Sequence, residues 1–200
     1  MYKPHYGRRV AVWPVGIETD RWTPAPSDQK SVDFLIYDKI RWDRGRVNEA
    51  LVEPILAILR RRGLTYETLR YGSYRPEDYR VALSQSRAML FLCEHETQGL
   101  AYQEAMSSGV PILAWDPGLW LDAWRFRYGE AIVPATSVPY FDERCGRTFE
   151  TYVDFEDRLD DFLEALNAGT LRPRDYVLDE LTIEKCSQRY LDLLAVANAL

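Results

Sequence analysis

This sequence predicts an α/β domain built on an open, mostly parallel sheet flanked by helices. Three observations carry that reading. The run Val32-Asp33-Phe34-Leu35-Ile36-Tyr37 is mostly apolar and ends at a polar loop, as a buried parallel strand does. The stretch from Ala88 to Trp115 reads strand, loop, helix, strand, with acidic groups in the loop and on the helix. The length of 200 residues is enough for one sizeable domain.

Along the chain, Val10-Ala11-Val12-Trp13 reads as a short strand before the one at Val32. Leu51, Ile55, Ile58 and Leu59 fall at helical spacing, and Gly63 after Arg60-Arg61-Arg62 is a helix-stop signal. Pro54 inside that pattern implies a kink or a later helix start. Thr65 to Leu69 is a candidate strand, and Pro76 to Gln85 a helix with proline near its first turn. Ala88-Met89-Leu90-Phe91-Leu92-Cys93 and Val110-Pro111-Ile112-Leu113-Ala114-Trp115 read as buried strands. Residues 116–150 read as irregular, rich in aromatic and turn residues. From Phe155 to Leu166 the pattern is amphipathic, with Leu159, Phe162, Leu163 and Leu166 on one side, and Asn167-Ala168-Gly169 ends it. Arg172-Pro173-Arg174 reads as a connector.

The segment Glu96-Thr97-Gln98-Gly99-Leu100-Ala101-Tyr102-Gln103-Glu104-Ala105-Met106 carries the most chemistry. A helix starting near Gly99 turns its free N–H groups and positive dipole end toward the loop, a site for an anion such as a diphosphate. Gly99 has no Cβ to hold a ligand away from the backbone. Glu104 lies more than a turn into the helix, where one carboxylate can accept from two neighbouring hydroxyls, as on a ribose. Glu96 is free in the loop to meet a second polyol. An ordinary βα loop with a capping acid and a solvated helix face accounts for the same spacing, and both readings stand at this point.

Composition excludes several classes. The net charge is −6 with no long basic run, which argues against nucleic acid or an anionic membrane as the main partner. No apolar stretch approaches about 20 residues, so no transmembrane segment is expected. Met1-Tyr2-Lys3-Pro4-His5 is not followed by a signal-peptide core. Cys93, Cys145 and Cys186 are odd in number and widely spaced, forming neither a zinc pattern nor a disulfide framework. A reducing, cytoplasmic location is the simplest expectation.

Four segments together resemble a known family. Glu96 to Trp115 (ETQGLAYQEAMSSGVPILAW) is similar to the E-x-F-G-(four residues)-E-A-M-A-x-G-x-P-V signature of family 4 GT-B glycosyltransferases. Pro14-Val15-Gly16-Ile17-Glu18-Thr19-Asp20-Arg21-Trp22 resembles the P-N-G-V-D-T-x-R-F that follows the interdomain crossing. Asp38-Lys39-Ile40-Arg41-Trp42-Asp43-Arg44-Gly45 resembles G-R-L-x-x-x-K-G, which supplies two cations to the diphosphate. Leu181 to Leu191 looks like the closing helix, F-S-W-x-x-x-x-x-x-Y-L. The sequence departs from the pattern at Asp38 (glycine), Lys39 (arginine), Gln98 (phenylalanine) and Cys93-Glu94-His95 (Pro-Ser).

The resemblance implies the C-terminal, donor-binding half of a GT-B fold. Residues 1–25 would match the interdomain crossing, and 26–200 a Rossmann-like domain that binds a nucleotide sugar. It implies sugar transfer from a nucleoside diphosphate sugar with retention of configuration, and no metal or other cofactor. Lys39 and Arg44 would neutralise the leaving diphosphate, aided by the N–H groups at Gly99 and Leu100; Glu104 would hold the ribose and Glu96 the transferred sugar. The acceptor domain, which the family places first, would come from a separate protein, or the chain would pair with a second copy. The alternative is a nucleotide-sugar-binding subunit without catalysis.

Other residues invite stories that plainer readings match. Arg60-Arg61-Arg62 suits a helix C-terminus better than a phosphate site. Trp115, Trp120 and Trp124 are a sugar platform or loop packing, and Trp13, Trp22, Trp120 and Trp124 candidate contact surfaces. His95 reads as a loop histidine near the donor sugar rather than a general base. Arginine neighbours could lower the Cys145 thiol pKa, but no histidine partner stands in a recognisable motif.

Overall fold

In a computed structural model, residues 6–7, 10–129 and 132–198 are described; residues 1–5, with the terminal reading made on them, lie outside that set. Among the described residues, β1 (Val32–Asp38), β2 (Tyr66–Arg70), β3 (Ser86–Leu92), β4 (Ile112–Trp115) and β5 (Gly146–Phe149) form an all-parallel sheet in the order β2-β1-β3-β4-β5. The helices are α1, α2 (Pro76–Gln85), α3 (Leu100–Ser107), α4 (Tyr152–Asn167), α5 (Pro173–Glu180) and α6 (Ile183–Asn198). The first of these, α1, starts as Arg44–Val47, widens into a π turn over Asn48–Val52 and continues as Glu53–Arg61. The π turn lies just ahead of Pro54, where the proline lacks an N–H and would crowd the preceding carbonyls.

Both faces of the sheet are apolar because alternate strand residues serve opposite layers. On one face Leu35, Tyr37, Met89 and Phe91 pack with Tyr79 and Leu83 of α2, Tyr102 and Met106 of α3, and Val177 of α5. On the other, Phe34, Ile36, Leu90 and Leu92 meet Ile55 and Leu59 of α1 and Leu159 and Phe162 of α4. Full burial of one such side chain contributes about 1.5–3 kcal/mol.

Three expectations fail. Val10 to Trp13 is not a strand; the chain first touches a strand-like partner at Ile17, which bridges Thr182. Residues 116–150 are not wholly irregular, since β5 runs through Gly146–Phe149. Gly146 holds φ 151° with Ile112 O only 1.8 Å from where a Cβ would stand, so glycine lets this edge strand seat against β4. Arg172-Pro173-Arg174 is more than a connector: Pro173 opens α5, a position where its missing N–H is harmless.

The sheet order reverses between β1, which leads to β2 on one side, and β3 on the other. Ligands in open α/β sheets bind in the crevice outside the carboxyl ends of strands at such a reversal. Strand register places Arg70, Asp38, Leu92, Trp115 and Phe149 in one row along that edge. The next residues pin the loops: Lys39 N–H donates to Leu92 O (2.8 Å) and Tyr71 N–H to Asp38 O (2.8 Å).

Candidate functional site

Lys39 follows β1 and Glu96 follows β3, so both stand at the reversal, and their side chains form an ion pair. The pair is mostly shielded, with 14% and 11% of the two side chains exposed. The Lys39 ammonium also lies 4.6 Å from the centre of the exposed Tyr71 ring. Arg44, on the first turn of α1, reaches back to Asp38, the last residue of β1. Arg44 Nη1 donates to Asp38 Oδ1 (3.0 Å) and to Ile40 O (3.1 Å), and Nη2 donates to Asp38 Oδ2. The hydrogen bonds to Asp38 raise the Arg44 pKa.

The loop carrying these cations is knit by buried carboxylates. Asp38 Oδ1 accepts from Ile40 N–H (3.2 Å). Glu94 Oε1 accepts from the N–H groups of Arg41 (2.8 Å) and Trp42 (3.0 Å). Glu94 Oε2 is buried with no hydrogen-bond partner among the described residues, and burial pushes the carboxyl pKa up. A buried acceptor of two backbone N–H groups fixes a loop that otherwise has no secondary structure.

Gly99, with φ 75°, stands just before α3, and a Cβ there would lie 2.0 Å from Tyr102 Cε1, so only glycine fits. Leu100 opens α3, whose first-turn N–H groups have no intrahelical acceptor. Gln98 binds the N-terminal segment, its Oε1 accepting from Val15 N–H (2.9 Å) and its Nε2 donating to Trp13 O (3.0 Å). Trp13 in turn donates to Cys186 O on α6 (2.7 Å) and packs on Tyr190. The departure at Gln98 therefore does structural work, clasping the segment that precedes the sheet.

Glu104 is half-buried on α3, and among the described residues no hydrogen bond or ion pair engages its carboxylate. Burial pushes its pKa up to about 7, against the pull of Arg21 and with the push of Glu18. Burial raises the Tyr74 pKa, and the charges of Glu104 and Lys39 also act on its hydroxyl, which hydrogen-bonds to that of Tyr37 (2.5 Å). Because the folded Glu104 pKa is raised from 4.5, the folded state favours the neutral form. That stabilisation is complete below pH 4.5 and is lost as pH rises through about 7. Glu104→Gln, which stays neutral, is expected to melt higher than the parent above pH 7, with the gap closing toward pH 4.5. Thermal melts across that range check this; a constant gap would mean that ionisation of Glu104 is not the cause.

The structure thus joins Lys39 directly to Glu96, pairs Arg44 separately with Asp38, and starts α3 at Leu100 with Gly99 just before it. The Glu104 carboxylate makes no direct bond to the other five residues. Asp38, Glu94, Tyr71 and Tyr74 are the residues that motif reading passed over as participants. The one available signal was an acid at the carboxyl end of each of two apolar runs.

Other candidates resolve. His95 is stacked on Trp42 (4.8 Å between centres, 11° between planes) and tilted against Trp120 (4.9 Å), and burial lowers its pKa. Arg61 and Arg62 pair with Glu156 and Asp160 of α4, tying two helices together. Cys145 is fully buried, and burial raises its thiol pKa to about 12, outweighing the lowering pull of Arg144, which also pairs with Asp142 and Asp179. Trp115 belongs to the core, and buried Trp22 packs on Tyr79, so neither is an open surface; Trp124 is exposed. Among the described residues no cluster of three or more His, Cys, Asp or Glu could hold a metal, and no helix is long and apolar enough to cross a membrane.

No protein-family model matches the sequence, and no curated protein matches it. Solved structures do. AviGT4, a glycosyltransferase involved in avilamycin A biosynthesis, is similar over 96% of this chain and 59% of that one, with 18% identity and a TM-score of 0.55. The apo form of the lipopolysaccharide outer core galactosyltransferase WaaB is similar over 92% of this chain and 54% of that one, with 14% identity and a TM-score of 0.50. The GtfA/B complex is similar over 86% of this chain and 37% of that one, with 13% identity and a TM-score of 0.50. At these identities the likeness shows the fold alone: one Rossmann-like domain of the GT-B fold. The chain spans about half the length of the first two structures it matches.

Proposed function

We propose that the carboxyl edge between β1 and β3 binds a nucleoside diphosphate sugar and serves as the donor half of a glycosyltransferase that retains configuration. The observation that carries this is that two ion pairs, Lys39–Glu96 and Arg44–Asp38, stand at the carboxyl end of β1 where the sheet order reverses, with α3 starting four residues after Glu96. In this reading Lys39 and Arg44 neutralise the diphosphate as it leaves, the role of preorganised cations on departing phosphates. The N–H groups at Gly99 and Leu100 add to that stabilisation. Glu96 accepts from hydroxyls of the transferred sugar, and Glu104 from the ribose. No step calls for a metal.

The acceptor site would come from a partner domain or a second copy. Val12 within the N-terminal segment and Tyr190, Leu191 and Leu194 on α6 are exposed apolar residues suited to such a contact. A nucleotide-sugar-binding subunit without catalysis is the second reading. It is favoured by the half-length match and by the ion pairs that already occupy both cations. Calorimetric titration with a panel of nucleoside diphosphate sugars tests the shared core of both readings. Saturable binding of at least one supports it, and none across the panel would end it.

The ribose role has its own test. A carboxylate facing a vicinal diol loses its partners when the diol is absent. Glu104→Ala is expected to weaken nucleotide binding while leaving inorganic pyrophosphate binding nearly unchanged. Equal losses for both ligands would show that Glu104 acts on the loop or on stability instead.

A further inference from the structure

We propose that Asp38 is a specificity-determining residue: an internal counter-anion that lets Arg44 serve a nucleotide-bearing diphosphate while denying small inorganic phosphates a charge-only foothold. This rests on the donor-site reading above.

The geometry carries it. Asp38 takes the end-on edge of the Arg44 guanidinium, one oxygen to Nη1 and one to Nη2, and Ile40 O takes a second Nη1 hydrogen. A guanidinium has five N–H donors in a fixed fork. With those three committed, the Nε hydrogen and the outer Nη2 hydrogen remain, and these form the side edge. That edge matches two oxygens of one phosphate. Arg44 therefore meets a ligand in a single orientation, and the Arg44–Asp38 unit carries no net charge. The arginine side chain is 30% exposed and Asp38 only 11%, so the cation faces outward and its counter-anion inward.

Asp38 is built into this position. It ends a sheet strand, is 8% exposed overall, and accepts the Ile40 N–H at 3.2 Å. Lys39 is neutralised in the same way by Glu96. A small polyphosphate approaching this edge meets two cations that are both already balanced. Long-range attraction is weak, and binding depends on what else the ligand offers. A nucleotide sugar offers hydroxyls to Glu96 and Glu104; inorganic pyrophosphate offers none.

The experiment compares the unaltered chain with Asp38→Asn and Asp38→Glu. Asparagine keeps an oxygen for the Ile40 N–H and removes the charge; glutamate keeps the charge. Each is titrated with inorganic pyrophosphate and with the common nucleoside diphosphates at several salt concentrations, after circular dichroism confirms the fold. For Asp38→Asn, pyrophosphate is expected to bind about tenfold tighter and the nucleoside diphosphate only about threefold tighter, shrinking the preference. The slope of log affinity against log salt is expected to steepen, because an unmasked cation is sensitive to screening. Asp38→Glu is expected to keep the parent's preference. Asp38→Ser replaces the asparagine variant should that one not fold, and the salt slope of the unaltered chain with pyrophosphate, expected to be shallow, needs no variant.

Unchanged or weaker pyrophosphate binding in the neutral variant, or a steep slope in the parent, overturns the proposal while leaving the donor-site reading standing. Failure of the parent to bind any nucleoside diphosphate removes the donor-site reading, and this proposal with it.

Discussion

Lys39→Ala and Arg44→Ala are each expected to weaken nucleoside diphosphate binding tenfold or more. A hydrogen bond to a charged group contributes about 1.5–3 kcal/mol, and 1.4 kcal/mol is a factor of ten. The ion pairs add to the loss. Removing Lys39 leaves Glu96 as an uncompensated carboxylate beside the diphosphate, and removing Arg44 does the same with Asp38. Each substitution thus deletes an attraction and uncovers a repulsion. Calorimetry with a nucleoside diphosphate reads both effects. The second is isolated by pairing Lys39→Ala with Glu96→Gln, which is expected to recover part of the loss, since a diphosphate without a sugar does not use Glu96 otherwise. Unchanged affinity in both single variants would refute the assignment of these cations.

The fold was legible wherever the sequence repeats one physical demand over several residues. β1 and β3 serve two apolar layers, so they stand out as apolar runs, and α4 shows a helical stripe because one side of it meets the sheet. β5 was hidden because it is a short edge strand whose Gly-Arg-Thr-Phe carries no run; its place is set by the room that Gly146 gives Ile112 O. At the false strand Val10 to Trp13, only Trp13 is fastened, by Gln98 and by Cys186 O and Tyr190 of α6, while Ala11 and Val12 are exposed, so no strand partner rewards the apolar run. The site was legible in kind but not in pairing. Spacing within a loop or helix is local, whereas Lys39 and Glu96 are 57 residues apart and Asp38 meets Arg44 only because α1 turns back over the end of β1. Glu94 looked like a departure from a motif; its task, holding two N–H groups of the neighbouring loop, is visible only in three dimensions.

The isolated chain is expected to transfer sugar slowly or not at all, even where it binds the donor well. Holding two reactants in register can supply roughly 7–11 kcal/mol of a barrier, which is many orders of magnitude in rate. In the proposed reading the residues at the β1–β3 edge are assigned to a diphosphate, a ribose and the transferred sugar, and none of them is assigned to an acceptor. The chain also matches only 59% of AviGT4 and 54% of WaaB, so much of each of those enzymes has no counterpart here. The purified chain, verified as a monomer, is to be incubated with its best-binding donor and a broad set of acceptors. Hydrolysis of the donor is followed separately, since water can take the acceptor's place. Little or no transfer by the monomer, with recovery on adding an acceptor-domain protein or on self-association, supports a divided enzyme. Transfer at a typical enzyme's rate of about 10 per second by the monomer alone would sink that idea. It would require an acceptor site on this single domain, and the exposed apolar face of Val12, Tyr190, Leu191 and Leu194 would be the first place to mutate in search of it.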